Sequence, residues 1–594
     1  MPAKKSSIGI QTAKREEKNG GAFFLDLDTV EAWINSLPRG SAGKTAQQLF
    51  SALQDINKIK LDFEDRVDYL ELIREPLFYT MSIMEKHFVG GNFPLIKKQK
   101  KIASLSKEFC LLMMMGYVIA IEELLEEYNV RRDKQILGFL IHRAVSYINH
   151  YILISYQIYM IVPDDIWDKL HKLYLFAEDN KVSNIKVSDD QFQYINKTTV
   201  SEEYVRSLLL ASASPYHMRS NEVGNTYINI ERWMDSVRIF PLDEKMNAKY
   251  YFVTDLNSEV PILNSQELKG RRKKNLRIIV VDELIRKIDH ELQGSEMVSS
   301  QTLLSANLGD ATLSHDLLAR LKNYWTSKSE PSTNKSKVRK KVKMVVGISA
   351  TYNLAQEITE RSNKDDNQLF AQLTDFDEMA VTNIKVSKEN KDIDSDSAED
   401  SGLFNIEASK SYIQNGDWLL TNQAKEEYCL QCSGDCIQQL QVGEVVGVRH
   451  LSGNKKDGFI LGIISWMRVY GDSLIKLGVK LVSTSAIAIE VRSIIDDVKS
   501  EQCQRAFLLP LIKELGQPSS IFGLPATYRS GVSLVISIFR KEIPVRLTHK
   551  LLDSGLYCQY QVEGLTKKIV RKKMKPQARK KSSGTGFEDV WDSI

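Results

Sequence analysis

The chain has 594 residues, of which 43% are hydrophobic and 26% are charged, and its formal net charge is +4. This length exceeds what one hydrophobic core organises, so we expect two to four domains, and the small net charge excludes a chain that is polycationic throughout. The polar N-terminus lacks the apolar segment of a secretory signal.

The apolar run 109–121 is shorter than the roughly 20 residues that a membrane-spanning helix needs, so we predict no membrane span. Six scattered cysteines favour a reducing compartment over a disulfide framework. The sequence therefore predicts a cytoplasmic protein.

Residues 1–20 are polar and predict a disordered tail. From 21 to 330 the pattern predicts a mainly helical domain, because apolar residues recur with the 3.6-residue period, as in "TAQQLFSALQDI". Two β-like runs interrupt it, "KYYFVTDL" at 249–256 and "NLRIIVV" at 275–281.

The pattern over residues 336–500 predicts a small antiparallel β-barrel or sandwich. The basic segment "VRKKVKMVVGIS" enters a first strand, and Gly, Asn and Asp punctuate the later ones. An acidic, serine-rich stretch at about 388–402 predicts a disordered insertion within this β-domain. The later strands are "WLLTN", "YCLQC", "GEVVGVRH", "GFILGIISWMRV", "LIKLGVKLV" and "AIAIEVRS".

Residues 501–566 predict a further small β-rich domain, and residues 567–594 a basic tail with a terminal amphipathic motif. The fold class is therefore α+β multidomain, with a large all-α N-terminal region before the barrel. In the motif, Phe587, Val590, Trp591 and Ile594 fall on one face of a two-turn helix. We interpret this face as a partner-docking peptide, with packing onto the protein's own core as the alternative.

No motif predicts catalysis or a resident metal. "GSAGKT" at 40–45 lacks the first glycine of a phosphate-binding loop, since position 38 is Pro, and the histidines form no H-E-x-x-H pair. Cys429, Cys432 and Cys436 have the spacing C-x2-C-x3-C, but a second pair of zinc ligands does not follow. We expect a non-enzymatic protein with ordinary strand and turn cysteines.

The segment "FILGIISWMRVYGDSLIKLGVKLV", with Trp466, Arg468 and Gly478, resembles the second half of a bacterial PilZ domain. The stretches "LPRGSAGKTAQQLFSAL", "LLASASPYHMRSNEV" and "LLPLIKELGQPSSI" are similar to long PilZ proteins that have a helical N-terminal region, some of them labelled molecular chaperones. The resemblance implies a small barrel that reads cyclic di-GMP through two motifs, R-x3-R and [D/N]-x-S-x-x-G.

The two ligand motifs are degenerate in this chain. Asn422 matches the second motif, but Ala424 replaces its serine and Glu427 its glycine. The nearest substitute for the first motif is Arg339-x3-Lys343. Arginine can fork onto phosphate or guanine, whereas lysine keeps only the charge. The implied ligand residues are Arg339, Lys340, Lys343, Asn422, Ala424, Glu427, Trp466 and Arg468.

We therefore predict a cytoplasmic bacterial signalling adaptor whose barrel binds cyclic di-GMP, or descends from one that did, with protein partners bound through the helical region. It would need no cofactor, and cyclic di-GMP would be its ligand. The alternative is a ligand-independent scaffold or chaperone-like interaction protein. The basic tail suggests a more distant RNA-associated role, but the basic patches lack interleaved aromatic residues, which favours a solvated tail. No DNA partner is expected.

Overall fold

A computed structural model gives the fold. The residues that it describes are 8–16, 27–91, 93–127, 133–242, 247–264, 267–298, 313–327, 336–362, 417–424, 426–433, 439–451, 459–471, 473–484, 486–495, 498–499, 502–510, 518–524, 528–538, 541–553 and 557–564.

Helices make up most of the N-terminal region. Their bounds are Leu27–Ser36 (α1), Ala42–Lys58 (α2), Phe63–Glu85 (α3), Lys97–Glu127 (α4), Lys134–Gln157 (α5), Asp164–Asp179 (α6), Val200–Ser212 (α7), Ser220–Trp233 (α8), Asp282–Val298 (α9) and His315–Thr326 (α10). Helix α5 packs along α4 and is buried around most of its circumference, which explains why apolar residues dominate both sequences.

Short strands interrupt these helices. Val187–Ser188 (β1) pairs with Lys197–Thr198 (β2). Arg238–Pro241 (β3), Tyr251–Asp255 (β4) and Leu276–Val280 (β5) form a three-stranded antiparallel sheet in the order β3-β5-β4. Its last two strands are the β-like runs that the sequence predicts within the helical region.

Six antiparallel strands form a first barrel: Ser336–Val346 (β6), Asp417–Gln423 (β7), Glu427–Ser433 (β8), Val445–His450 (β9), Phe459–Tyr470 (β10) and Leu474–Ser483 (β11). They close in the order β10-β11-β8-β7-β6-β9. A helix, Ile348–Ser362 (α11), follows β6. Buried positions alternate with more exposed ones along β8 and much of β11, because one side of each strand fills the barrel and the other faces outward.

A second β-structure follows, with strands Ile487–Ile495 (β12), Val498–Lys499 (β13), Gln504–Leu509 (β14), Ser520–Leu524 (β15), Ser533–Ile538 (β16), Lys541–Asp553 (β17) and Cys558–Gly564 (β18). Their order is β13-β12-β14-β15-β18-β17-β16, and pairing between β12 and β16 closes the sheet into a small barrel. Its interior is apolar, with Phe507, Phe522 and Tyr560 among its fully buried side chains.

The helical region and the first barrel belong to one compact unit and share a continuous hydrophobic core. Backbone hydrogen bonds join them. The Val469 N–H donates to the Tyr159 carbonyl at 2.8 Å, and the Leu440 N–H donates to the Phe93 carbonyl at 2.6 Å. The first barrel is thus fixed directly to the helices.

The predicted fold class is confirmed, from the helical N-terminal region through the antiparallel barrel to a further small β-domain. Residues 8–16 differ from the disordered tail predicted for 1–20. Ile8 and Ile10 are buried in the helical core, Thr12 and Arg15 contact Glu122, and Glu16 pairs with Ile59. The predicted insertion at 388–402 lies outside the described residues.

Candidate ligand site on the first barrel

A row of outward-facing residues crosses five strands of the first barrel. Lys337 on β6 pairs with Asn422 on β7, which pairs with Cys429 on β8, then Gly478 on β11 and Trp466 on β10. We call this the central row. Its neighbours in sequence on β8 and β11, Tyr428, Leu430, Leu477 and Val479, are buried inside the barrel. The alternation of the pleat therefore places the central row on the outer surface.

Three of these strands carry a β-bulge beside the central row. The pairing register gains one residue in β6 between Lys337 and Lys340, one at Thr421 in β7, and one at Ser465 in β10. A bulge increases local twist and redirects neighbouring side chains, and bulges are over-represented beside functional sites. Three bulges beside the central row indicate that the local twist of the backbone sets the direction of its side chains.

The next outward row carries positive charge. It runs through Lys341, Leu419, Gln431, Lys476 and Arg468. Lys341 and Arg468 are exposed, and Lys476 lies over the ring of Tyr470, with Nζ 4.6 Å from the ring centroid. Together with Lys337 and the exposed Lys480, these cations give the outer face the charge that attracts phosphate.

Trp466 lies flat against Gly478. A Cβ atom at position 478 would stand 2.1 Å from the indole Nε1, so any side chain there would displace the ring. The indole N–H donates to Glu427 Oε1 at 2.8 Å, and the Ser465 hydroxyl donates to the same oxygen at 3.3 Å. Glu427 thus fixes the indole as a platform on the outer face, and aromatic platforms of this kind stack nucleobases.

Arg468 lies between two aromatic rings. Its guanidinium carbon is 5.7 Å from the ring centroid of Trp466 and 4.7 Å from that of Tyr216, which belongs to the helical region. Arg468 is exposed, while Tyr216 is partly buried and its hydroxyl donates to the Met160 carbonyl at 3.0 Å. Burial raises the pKa of Tyr216 to about 12 against the opposing effect of Arg468, so this hydroxyl keeps its proton at neutral pH.

The structure brings four of the predicted ligand residues together: Asn422 and Trp466 in the central row, Glu427 hydrogen-bonded to Trp466, and Arg468 one row along. Ala424 lies at the hairpin between β7 and β8, where its N–H donates to the Glu427 carbonyl at 2.8 Å. It therefore contributes to the turn through its backbone.

The predicted basic residues of β6 are spread along the strand. Arg339 is exposed and lies in the β6 bulge beside Asn422, and Lys340 is exposed and pairs with Leu420. Lys343 pairs with Asp417, five residues from Asn422 along β7, which corresponds to about 17 Å. The structure thus places Arg339 next to the central row and Lys343 well away from it.

Cys429 and Cys432 of the cysteine motif both lie on β8. Cys429 is a half-buried member of the central row, Cys432 faces the barrel interior, and Cys436 lies outside the described residues. Within the described part of the chain, no three His, Cys, Asp or Glu residues are placed to hold a metal ion. The residues of the predicted docking motif, Phe587, Val590, Trp591 and Ile594, also lie outside the described residues.

Sequence reasoning missed four residues of this surface: Lys337, Lys476, Lys480 and Tyr216. A signal for two of them was present, since "KLGVK" places Lys476, Gly478 and Lys480 at alternate positions on one face of a strand. The position of Lys337 opposite Asn422 depends on the β6 bulge, and the position of Tyr216 depends on tertiary packing. Neither could be read from local pattern.

Three family models match the chain in succession. They are described as "Cyclic-di-GMP receptor FimW, N-terminal domain" over residues 28–243, "Cyclic-di-GMP receptor FimW, middle PilZ domain" over 251–487 and "FimW C-terminal beta-barrel domain" over 489–565. A curated protein, the cyclic-di-GMP receptor FimW of Pseudomonas aeruginosa, is 23% identical over 589 residues, which cover 95% of each chain. The similarity therefore includes the helical region and both barrels.

Proposed function

The chain belongs to the PilZ-domain family, and we propose that it is a cyclic di-GMP receptor that binds the messenger on the outer face of its first barrel. The observation that carries the location is the central row, where three bulges flank an aromatic platform with cations beside it. Its role is recognition, so we propose a signalling adaptor and no enzymatic activity.

Cyclic di-GMP presents two phosphates and two guanine bases, and this face offers a group for each. Trp466 supplies a stacking surface for a base. Arg468 and Arg339 can each fork onto a phosphate or onto guanine O6 and N7, and Asn422 supplies an amide for a base edge. Lys337, Lys476 and Lys480 supply charge without the fork, so they set affinity more than orientation.

Glu427 takes on a new role at the place of the family's glycine. Its carboxylate accepts hydrogen bonds from Trp466 and Ser465, so it orders the platform. The same negative charge lies on a face that must receive phosphates, which lowers the affinity for them. The degenerate motif therefore gives an ordered site with weakened affinity, in a surface where other cations compensate.

The helical region is the proposed site of protein partners, as expected of an adaptor whose barrel senses the ligand. Among the helices that the structure describes, none has the length and apolar character needed to cross a membrane. We place the protein in the cytoplasm, where cyclic di-GMP is available to it. The terminal motif at 587–594 remains a proposed docking peptide for a partner.

Calorimetric titration of the full chain with cyclic di-GMP tests this function. We expect saturable binding that Arg468→Ala weakens by about 1.5–3 kcal/mol, the range for hydrogen bonds to charged groups, which is roughly 10- to 150-fold. Trp466→Leu should also weaken it, by about 1–3 kcal/mol for one stacked base.

The matched control is Lys98→Ala, which removes an exposed cation from the first turn of α4 and should leave the affinity unchanged. Absence of saturable binding by the wild-type chain would refute the receptor function and favour the ligand-independent scaffold. Binding that both Arg468→Ala and Trp466→Leu leave intact would refute the proposed location.

A further inference from the structure

The end of β10 is also where the first barrel meets the helical region. Val469 donates its backbone N–H to the Tyr159 carbonyl at 2.8 Å and forms an isolated parallel bridge with Met160. Tyr159 has a φ of 57°, in the left-handed region that a bulky side chain rarely occupies. A strained residue of the helical region therefore holds the strand that carries Arg468.

Tyr216 is attached to the same junction. Its hydroxyl donates to the Met160 carbonyl, and its ring meets Tyr156 edge to face with centroids 5.3 Å apart. Arg468 covers the face of this ring at 4.7 Å. A path of direct contacts thus runs from the platform through Arg468 and Tyr216 to the backbone at Met160.

A guanidinium over an aromatic face is attracted by the electrons of the ring, and the contact is lost when the group moves away. A phosphate attracts the same guanidinium more strongly, because the two can form a charge-assisted, bidentate pair. If the guanidinium moves to reach a ligand on the barrel face, it leaves the Tyr216 ring. Tyr216 and an anionic ligand therefore compete for one side chain.

We propose that Tyr216 is an affinity-setting residue of the ligand site, and that cyclic di-GMP draws Arg468 off the Tyr216 ring and so signals occupancy to the junction at 156–160. This inference rests on the proposed function. It gives the helical region a direct contact that differs between the free and bound states, which any transmission of a binding signal requires.

The test is a double-mutant cycle on the full chain, with cyclic di-GMP affinity as the measurement. Tyr216→Leu removes the ring face and should tighten binding by about 2- to 5-fold, the equivalent of an exposed cation–π contact. Tyr216→Phe keeps the face and should leave the affinity at the wild-type value. In the Arg468→Ala background, Tyr216→Leu should change nothing, because the competing side chain is gone.

Tyr251→Leu is the matched control, since Tyr251 is an exposed tyrosine on β4. It should not alter the affinity. Unchanged or weakened binding in Tyr216→Leu would overturn the proposal, and so would an equal gain in the presence and absence of Arg468.

A ligand-free measurement separates this proposal from the receptor function. Thermal unfolding without ligand is measured for the wild type, Arg468→Ala, Tyr216→Leu and the double variant. The losses of stability in the two single variants should be less than additive, because each removes the same contact. Strict additivity would refute the contact itself. A chain that shows the coupling but no ligand binding would refute the receptor function and the competition that rests on it.

Discussion

Arginine has opposite surroundings in the helical region and on the first barrel. In the helices, Arg74 and Arg143 are buried and share Asp189, with contacts of 2.7 and 2.8 Å, and Arg143 also reaches Glu71. On the barrel, Arg468 is exposed and lies against aromatic rings. A buried arginine that carboxylates already hold stabilises the fold, whereas an exposed arginine on a ring can be given up to a ligand.

The largest expected effect is the loss of stability when the buried ion pairs of the helical region are broken. Arg143→Ala leaves Asp189 and Glu71 without one of their cations, and breaking a buried pair costs about 3–5 kcal/mol. Chemical denaturation should show a loss of this size, while Arg468→Ala should cost about 1 kcal/mol or less, the size of an exposed cation–π contact. Equal losses in the two variants would contradict the distinction.

A second effect of the buried region is a loss of stability in mild acid. Burial lowers the pKa of His142 to about 3 and of His171 to about 4, both below the ordinary value of 6.5. Below pH 6.5 these histidines become protonated in the unfolded chain but stay neutral in the folded chain. The free energy of unfolding therefore falls as the pH drops. Between pH 6.5 and 5 we expect a loss of about 2 kcal/mol for each histidine, since one pKa unit corresponds to about 1.36 kcal/mol.

Denaturation curves at pH 7, 6 and 5 measure this loss. Protonation of Asp189 does not change the free energy of unfolding in this range. Its pKa is lowered from 3.8, so the stability that its carboxylate provides is lost only below that pH. His171→Gln removes one titrating group and should make the dependence on pH less steep. An equal dependence on pH in the wild-type chain and in His171→Gln would contradict the burial of this ring.

A third prediction separates two basic residues of the same strand. Arg339 lies in the β6 bulge beside the central row, so Arg339→Ala should weaken cyclic di-GMP binding by about 1.5–3 kcal/mol. Lys343 pairs with Asp417, far along the strand, and Lys343→Ala should leave the affinity almost unchanged. Titration of the two variants decides the matter, and the reverse order of effects would place the ligand at the other end of β6.

The smallest expected effect concerns Glu427. Glu427→Gln keeps the side-chain oxygen that accepts from Trp466 and removes the negative charge, so cyclic di-GMP should bind about 2- to 5-fold more tightly. Glu427→Ala is the contrasting variant, because it removes the charge and the acceptor together and should release the indole. If the Gln variant bound more weakly than wild type, Glu427 would be a ligand contact instead of a support for the platform.

The sequence predicts the architecture well because the periodicity changes along the chain. Helical stripes such as the one through Leu49, Leu53 and Ile56 give way to alternating strands such as "LIKLGVKLV", and both patterns appear in the structure. Residues 8–16 escaped prediction because two isoleucines in a polar stretch form no period, although both are buried.

The site was partly predictable for a physical reason. Trp466 and Arg468 alternate on one strand and are brought together by local geometry alone. The partnership of Glu427 with Trp466, 39 positions apart, depends on strand order, and the neighbours of Arg339 depend on a bulge. A bulge shifts the register by one residue, and the alternation of apolar and polar residues in the sequence does not reveal such a shift. Arg339 and Lys343 therefore differ in their expected contribution to ligand binding more through their position in the fold than through their residue type.

Hydrogen–deuterium exchange of the full chain with and without cyclic di-GMP tests the central claim most directly. We predict slower exchange in peptides that cover 417–424, 426–433 and 459–483, because these segments of β7, β8, β10 and β11 carry the ligand face. Peptides from 504–509 and 541–553 of the second barrel should exchange unchanged. Protection confined to the second barrel, or absent from both at saturating ligand, would contradict a receptor site on the outer face of the first barrel.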